Sequence, residues 1–200
     1  IENLKNKYIN WDEQDNKLFF RGSTTGCGTD QTNNIRLNLH NLNVTLKQII
    51  KRKELKLKLD IAISDYNTRP RVNKSLITNP NSLHTNVLSS IGYRMEKFTL
   101  WNTTKQTKFL LHLPGHVEAF RLSWELMSNS VIIMLNYVDN VKYHTWYSKY
   151  LIKNYNYYNV DVEQGDNTFQ QCSSKIIEII NNNNNNTISN LEEIKQLNIA

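Results

Sequence analysis

The chain has 200 residues, of which 39% are hydrophobic, and a formal net charge of +6. This length can bury a substantial core and favours a single domain, while every apolar run is shorter than the roughly 20 residues that a membrane-spanning helix needs. The two cysteines, Cys27 and Cys172, are too few for a disulfide framework, so we expect both thiols to be unpaired.

The N-terminal part of the chain predicts a strand that leads into a loop of small residues. Residues 1–14 are polar and predict a helix or connector anchored by Trp11. The run from Lys17 to Arg21 predicts a short strand. After it, residues 21–28 contain three glycines and three hydroxyl residues, so the backbone there can approach a ligand closely.

Two helical segments are predicted next. The first covers 33–42 and carries Arg36, so a strand, a small-residue loop and a helix together present an arginine. The second covers 47–58, where six basic residues and one acidic residue account for nearly all of the net charge. This local excess is typical of a solvated amphipathic helix. Nucleic-acid binding through 47–58 is a remote alternative, and we predict no nucleic-acid partner.

The middle of the chain predicts a buried strand followed by a long excursion. Residues 59–64 alternate in a way typical of a strand, and Asp65 follows directly. From residue 72 to residue 107 the chain is polar and irregular, which predicts a long connection with one short helix.

The segment from Phe109 to Asn136 predicts a β-α-β unit. A strand over 109–113 is ended by a Pro-Gly turn, a helix covers 117–127, and a second strand covers 131–135. In a parallel unit of this kind, the N-terminus of the helix lies beyond the carboxyl end of the first strand and attracts anions. Arg121, one turn into that helix, would add a charge-assisted contact to a phosphate. A solvated surface arginine is the alternative interpretation.

The C-terminal part continues the alternation. An aromatic-rich helix is predicted over 141–152, a last strand over 157–162 and an amphipathic helix over 168–180. The asparagine run that follows is typical of a spacer. We therefore predict one domain over residues 1–180, followed by an Asn-rich spacer and terminal helix over residues 181–200.

Strands that alternate with helices predict an α/β fold, a Rossmann-like parallel sheet flanked by helices on both faces. Such sheets bind ligands at the carboxyl ends of their strands. The loops that carry Arg36 and Arg121 both belong to that end.

Several common chemistries lack support in the sequence. His112 and His116 are four residues apart, but Pro114 and Gly115 between them exclude the helical face that such a metal pair requires. No P-loop, serine-hydrolase elbow or dinucleotide fingerprint is present. The remaining features indicate a basic, hydroxyl-rich phosphate site, and we predict no metal and no cofactor.

Two stretches together resemble a known family. They are LFFRGSTTGCGTDQTNNIRLNL at 18–39 and FLLHLPGHVEAFRLSWELMSNSVIIML at 109–135. In this order they resemble the Rumi-type protein O-glucosyltransferases and the capsule-associated, lipopolysaccharide-modifying glycosyltransferases, including the xylosyltransferases of yeasts, and they look most like the giant-virus members. The resemblance runs from Trp11 to about Ile180.

The resemblance implies the nucleotide-sugar-binding half of a GT-B glycosyltransferase. Such an enzyme would move glucose or xylose from a UDP-sugar to a hydroxyl of a protein or glycan, with inversion and without a metal. The general base of the family lies N-terminal to the residues that match here, so we expect it outside this chain. Arg121 is the predicted catalytic residue, because it would neutralise charge on the leaving diphosphate.

The predicted donor-binding residues come from two segments. With Arg21 of the same loop included, they are Arg21, Ser23, Arg36, His116, Val117, Glu118, Ala119, Phe120 and Arg121. A non-catalytic remnant that binds a sugar nucleotide or glycan is the alternative function. The C-terminal sequence LNIA is not an ER-retention signal, so a cytoplasmic location is favoured over the ER lumen.

Overall fold

The computed structural model describes residues 9–25, 34–65, 100–113, 115, 121–137, 148–162 and 168–185. These residues form a five-stranded, all-parallel sheet with the strand order β2-β1-β3-β4-β5. The strands are β1 (Asp15–Ser23), β2 (Lys58–Asp65), β3 (Thr107–His112), β4 (Val131–Tyr137) and β5 (Tyr158–Val162). The predicted α/β fold with a Rossmann-like parallel sheet is confirmed, and the predicted strands coincide with the observed ones to within a few residues.

Four helices accompany the sheet within the described ranges. They are α1 (Leu39–Arg52), α2 (Leu100–Lys105), α3 (Leu122–Leu126) and α4 (Thr168–Asn185). Single 3-10 turns cover Trp11–Glu13 and Ser148–Tyr150. None of the described helices is long and apolar enough to cross a membrane.

Helices α1 and α4 pack together on one face of the sheet, which we call the α1/α4 face. Because successive side chains of a strand point to opposite faces, each strand contributes every second residue to this core. Its fully buried members include Leu18, Phe20, Leu46, Phe109, Leu111, Ile133, Leu135 and Ile176. Trp11 anchors the N-terminal segment to this core, with its ring edge-to-face against Phe109 at 5.5 Å between centroids.

The opposite face, which we call the α3 face, has a smaller hydrophobic cluster. Leu122 of α3 packs there against Ile132 and Met134 of β4. This face also carries charged and polar side chains: Arg21 pairs with Asp60, and His112 contacts Glu125 of α3. The α1/α4 face therefore has the larger hydrophobic core, and the α3 face combines a smaller one with charged side chains.

Helix α1 differs from the prediction. Residues 35–38 form turns, and one continuous helix then replaces the two predicted segments and ends at Arg52. It ends in a Schellman motif, in which the N–H of Leu55 donates to the carbonyl of Ile50 at 3.0 Å. Glu54 has φ of 51°, in the left-handed region that glycine usually occupies. The sequence has glutamate rather than glycine at this position, so it did not predict the end of the helix.

Helix α4 also extends beyond its predicted end. It continues for five residues past Ile180 to Asn185, into the segment predicted to be a spacer. The cause is Asn183, which is buried; its Nδ2 donates to the carbonyl of Ile179 at 2.8 Å. The hydroxyl of Tyr158 also donates to Oδ1 of Asn183 at 3.4 Å, so the helix end is tied to β5. The beginning of the asparagine run is therefore helical.

Other predicted elements are described only in part. A short helix, α2, lies inside the predicted excursion over 72–107, as expected, and residues 66–99 lie outside the described ranges. Of the predicted helix over 141–152, the structure describes the 3-10 turn and the two non-helical residues after it. The first part of the predicted helix over 117–127 lies outside the described residues, and α3 covers its second part.

Candidate functional site

The candidate site lies where the adjacent strands β1 and β3 end. The polypeptide leaves β1 at Ser23 and β3 at His112, and both ends belong to the carboxyl edge of the parallel sheet. Sheets of this class bind ligands at this edge. Two arginines, Arg36 and Arg121, reach it from different directions, one from the turn before α1 and the other from the residue before α3.

Arg36 ties the end of β1 to the end of β3. Its guanidinium donates to the carbonyl of Ser23 at 2.9 Å and to Oγ1 of Thr25 at 3.0 Å. On its other side it donates to the carbonyl of Leu113 at 2.9 Å. The turn that presents it is held by Asn34, whose Oδ1 accepts from the N–H of Arg36 at 3.0 Å.

Arg121 meets Arg36 at the same carbonyl. Its Nη2 donates to the carbonyl of Leu113 at 3.3 Å, and its Nη1 donates to the carbonyl of Arg21 at 2.7 Å. Both guanidinium groups also lie over the ring of Phe20, with Cζ at 4.8 Å from the ring centroid for Arg121 and 5.9 Å for Arg36. Such cation–π contacts stabilise a cation and fix its plane. The two arginines therefore form one cluster supported from beneath by an aromatic ring.

Gly22 provides the space for this cluster. A Cβ atom at position 22 would lie 2.7 Å from Nη1 of Arg121 and 3.0 Å from Cζ of Phe20. Any side chain there would displace the guanidinium from the carbonyl of Arg21. The glycine of the Arg-Gly-Ser sequence is thus explained by the close approach of Arg121.

Burial makes it costly to keep both arginines of the cluster charged. Burial and the neighbouring charge of Arg121 lower the pKa of Arg36 to about 9, although Glu125 acts in the opposite direction. Burial likewise lowers the pKa of Arg121, again opposed by Glu125. Two guanidinium groups held at one carbonyl repel each other in a medium of low dielectric constant. A bound anion would relieve this repulsion.

Glu125 is the carboxylate of the cluster among the described residues. Its Oε1 lies 3.3 Å from Nε of Arg121, and its Oε2 contacts Nδ1 of His112. Burial alone would raise the pKa of Glu125, but His112, Arg121 and Arg36 together lower it below the usual range. The carboxylate is therefore ionised at neutral pH, and it partly balances the two arginines.

Arg21 does not join the cluster through its side chain. Because it alternates with Phe20 along β1, its guanidinium lies on the α3 face, where it pairs with Asp60 and donates to the carbonyl of that residue at 2.8 Å. Arg21 contributes its backbone carbonyl to the site as an acceptor for Arg121. The structure thus brings together Arg36, Arg121 and the backbone of Ser23, and it separates the guanidinium of Arg21 from them.

The other predicted contacts have different outcomes. The hydroxyl of Ser23 lies 2.9 Å from that of Thr25, at the rim of the cluster. The predicted residues His116, Val117, Glu118, Ala119 and Phe120 lie outside the described residues. Their assignment to the donor site stays a prediction.

Sequence reasoning missed three residues of the cluster. Glu125 is four residues after Arg121, the spacing of an ion pair on one helix face, so this signal was present. The role of Phe20 depends on its distance from two arginines outside β1, and cation–π contacts leave no mark in the sequence. The role of His112 depends on the distance between β3 and α3, which the sequence alone does not give.

Comparisons with known proteins give distant relatives. No family model matches the chain. Uncharacterized protein 035R of Invertebrate iridescent virus 3 is 35% identical over 145 residues, which is 70% of this chain and 11% of that protein. This chain is similar to proteins of iridescent viruses. Uncharacterized protein 179R of Invertebrate iridescent virus 6 is 28% identical over 154 residues, 74% of this chain and 12% of that protein.

The chain thus spans about a tenth of the length of these two curated relatives, at 11% and 12%. Among solved structures, the crystal structure of the GtfA/B complex superposes with a TM-score of 0.45 and 12% identity, over 92% of this chain and 31% of that chain. A superposition at this level carries no argument about function.

Proposed function

We propose that this chain is the nucleotide-sugar-binding half of a GT-B glycosyltransferase. It would transfer glucose or xylose from a UDP-sugar to a hydroxyl of a protein or glycan, with inversion and without a metal ion. The observation that carries the proposal is the convergence of Arg36 and Arg121 on the carbonyl of Leu113, at the carboxyl edge of a parallel sheet. The sequence resemblance supplies the reaction and the donor.

The geometry fits the needs of a diphosphate leaving group. In the transfer step the acceptor hydroxyl attacks the anomeric carbon and the bond from that carbon to the β-phosphate oxygen breaks. The electron pair of this bond goes to the departing UDP, whose negative charge grows. Guanidinium groups fixed in a water-poor site stabilise such a charge without reorganising. The proton of the acceptor passes to a base, which the resemblance places outside this chain.

The two arginines have different access to a ligand. The side chain of Arg121 is 14% exposed, whereas Arg36 as a whole residue is 3% exposed. We assign direct contact with the diphosphate to Arg121. Arg36 fixes the loop after β1 and adds positive potential. Arg121 is accordingly the residue whose loss should weaken donor binding most.

Calorimetric titration of UDP tests this proposal. We expect wild-type protein to bind UDP more tightly than GDP, with no effect of EDTA. Arg121→Ala should lose about 1.5–3 kcal/mol of binding free energy, the range for a hydrogen bond to a charged group. This loss corresponds to roughly 10- to 150-fold in Kd.

Lys175→Ala is the matched control. Lys175 is an exposed cation on α4 that pairs with Glu178 at 3.0 Å, so its removal changes the net charge equally without touching the cluster. It should bind UDP like the wild type. The proposal is wrong if wild-type protein does not bind UDP, or if Arg121→Ala and Lys175→Ala bind it equally well.

A further inference from the structure

Three buried side chains form a continuous series that ends at the proposed diphosphate contact. Nε of Arg121 lies 3.3 Å from one oxygen of Glu125, and the other oxygen of Glu125 contacts Nδ1 of His112. The side chains of Glu125 and His112 are 6% and 3% exposed. The contact with Arg121 is an ion pair without hydrogen-bond geometry, so Nε of Arg121 is a buried donor without a hydrogen-bond partner among the described residues, whereas the contact with His112 is a hydrogen bond.

Such an arrangement is costly unless every member is paired. Removing a carboxylate from water costs several kcal/mol, which is recovered only through partners with good geometry. A buried carboxylate left without its partners would destabilise the fold. Glu125 is thus paired with His112 through a hydrogen bond and with Arg121 through an ion pair.

The three residues come from elements of unequal rigidity. Helix α3, with five residues, is too short to hold its side chains by helical structure alone. His112 is the last residue of β3, a central strand paired on both sides, and it lies opposite Met134 of β4. Contact with His112 therefore fixes the carboxylate of Glu125 relative to the sheet, and Glu125 in turn fixes Arg121.

This series controls the orientation of the guanidinium. The charge of Glu125 attracts the Nε edge of Arg121 through an ion pair at 3.3 Å, while the carbonyls of Arg21 and Leu113 accept hydrogen bonds from the two Nη atoms. The ion pair on one edge and the hydrogen bonds on the other favour the same orientation of the guanidinium. A charged group that is already oriented does not lose this freedom when an anion binds, so it binds the anion more tightly.

We propose that Glu125 and His112 are positioning residues of the donor site, which orient Arg121 for the diphosphate. The inference rests on the proposed function. Neither residue contacts the donor. His112 orients the carboxylate of Glu125, and the carboxylate orients Arg121.

The first test measures the orientation of Arg121 without a ligand. The Nε–H resonance of Arg121 is recorded by ¹H–¹⁵N NMR in wild type and in Glu125→Gln and is assigned by its loss in Arg121→Ala. We expect the signal to shift and to exchange faster with water in Glu125→Gln, because the ion pair is lost and the buried guanidinium is held less tightly. An unchanged signal would overturn the inference, whatever the affinity for UDP.

The second test is a double-mutant cycle on UDP affinity. Glu125→Gln should raise the Kd for UDP about tenfold, and Arg121→Ala added to it should cost much less than it costs in the wild type. A merely structural Glu125 would give additive losses. The matched control is Glu178→Gln, since Glu178 is an exposed glutamate of α4 and should leave the Kd unchanged.

Substitutions of His112 test the first step of the series. His112→Asn retains an N–H donor near the position of Nδ1 and should restore part of the affinity that His112→Leu loses. Equal affinities of His112→Asn and His112→Leu would remove His112 from the proposal.

Arg121→Lys keeps the charge but loses the Nε contact, so it keeps the test decisive if Glu125→Gln does not fold. It should bind UDP more weakly than the wild type, because its ammonium cannot make the oriented contacts of the guanidinium, and full affinity would overturn the inference.

The two proposals fail in different ways. If wild-type protein does not bind UDP, the proposed function is wrong and the inference falls with it. If wild type binds UDP and Arg121→Ala does not, while Glu125→Gln binds like wild type, only the inference is wrong.

Discussion

On the α1/α4 face, the side chains that leave the middle of each strand are hydrophobic and fully covered by two long helices. On the α3 face, hydrophobic residues such as Ile132 and Met134 lie beside charged and polar side chains: Arg21 pairs with Asp60, and His112 contacts Glu125. The comparison indicates that the two faces have different roles. One face supplies most of the stability, while the edge beside the other face holds the charged groups that we assign to ligand binding.

The largest expected effect comes from the α1/α4 face. Ile176 of α4 is fully buried in that core, so Ile176→Ala should lower the free energy of unfolding by roughly 2–5 kcal/mol. Because the contacts shown for Arg36 and Arg121 come from β1, Thr25, Leu113 and Glu125, we expect the folded variant to bind UDP with wild-type affinity. Urea unfolding and calorimetry at low temperature measure the two quantities. A large loss of affinity in the folded variant would break the division between the faces.

A smaller effect is expected at Gly22, on UDP affinity rather than on the free energy of unfolding. In Gly22→Ala the new Cβ would lie 2.7 Å from Nη1 of Arg121, so the guanidinium has to leave the carbonyl of Arg21. We expect UDP affinity to fall about tenfold, near 1.4 kcal/mol. The midpoint of urea unfolding should change much less than in Ile176→Ala. Wild-type UDP affinity in Gly22→Ala would show that the position of Arg121 is unimportant for binding.

The smallest effect is a pH dependence confined to the α3 face. The folded pKa of Glu125 lies below its ordinary value of 4.5, since His112, Arg121 and Arg36 face it and outweigh burial. Its contribution to stability is therefore complete above pH 4.5 and is lost as the pH falls through the lower folded pKa. The difference in Tm between wild type and Glu125→Gln should shrink as the pH falls through this range. A constant difference from pH 7 to about pH 3 would contradict this assignment.

The sequence was informative about the sheet because each strand is a short apolar run bounded by turn residues. Alternation of strands with helices also predicted parallel pairing, because parallel neighbours in a sheet have to be joined by crossover connections, which are usually helices. Helix ends were harder to predict. Glu54 ends α1 in a conformation that usually takes glycine, and Asn183 keeps α4 helical through a buried contact with β5. At Asn183 a contact with another element overrides the local preference, whereas α1 ends through local backbone hydrogen bonds at a residue type that seldom marks a helix end.

The site was predictable to a lesser extent. Arg36 and Arg121 follow strands at helical or turn positions, and the sequence indicated that both belong to one edge of the sheet. It gave no means of seeing that they share the carbonyl of Leu113, or that Arg21 points to the opposite face. Such contacts depend on distances between strands that are not neighbours in the chain.

The contacts of the arginine cluster span long stretches of the chain, and this affects when the site forms during synthesis. The bond from Arg36 to Leu113 joins residues 77 positions apart, and the bond from Arg121 to Arg21 joins residues 100 positions apart. While the N-terminal half emerges from the ribosome, Arg36 has been made but its acceptor on the far side has not. Strand β1 likewise cannot pair with β3 until β3 has been synthesised, and chains are extended at about 5–20 residues per second. During this interval a nascent chain exposes a charged loop and an unpaired strand edge, which makes it a natural substrate for chaperones.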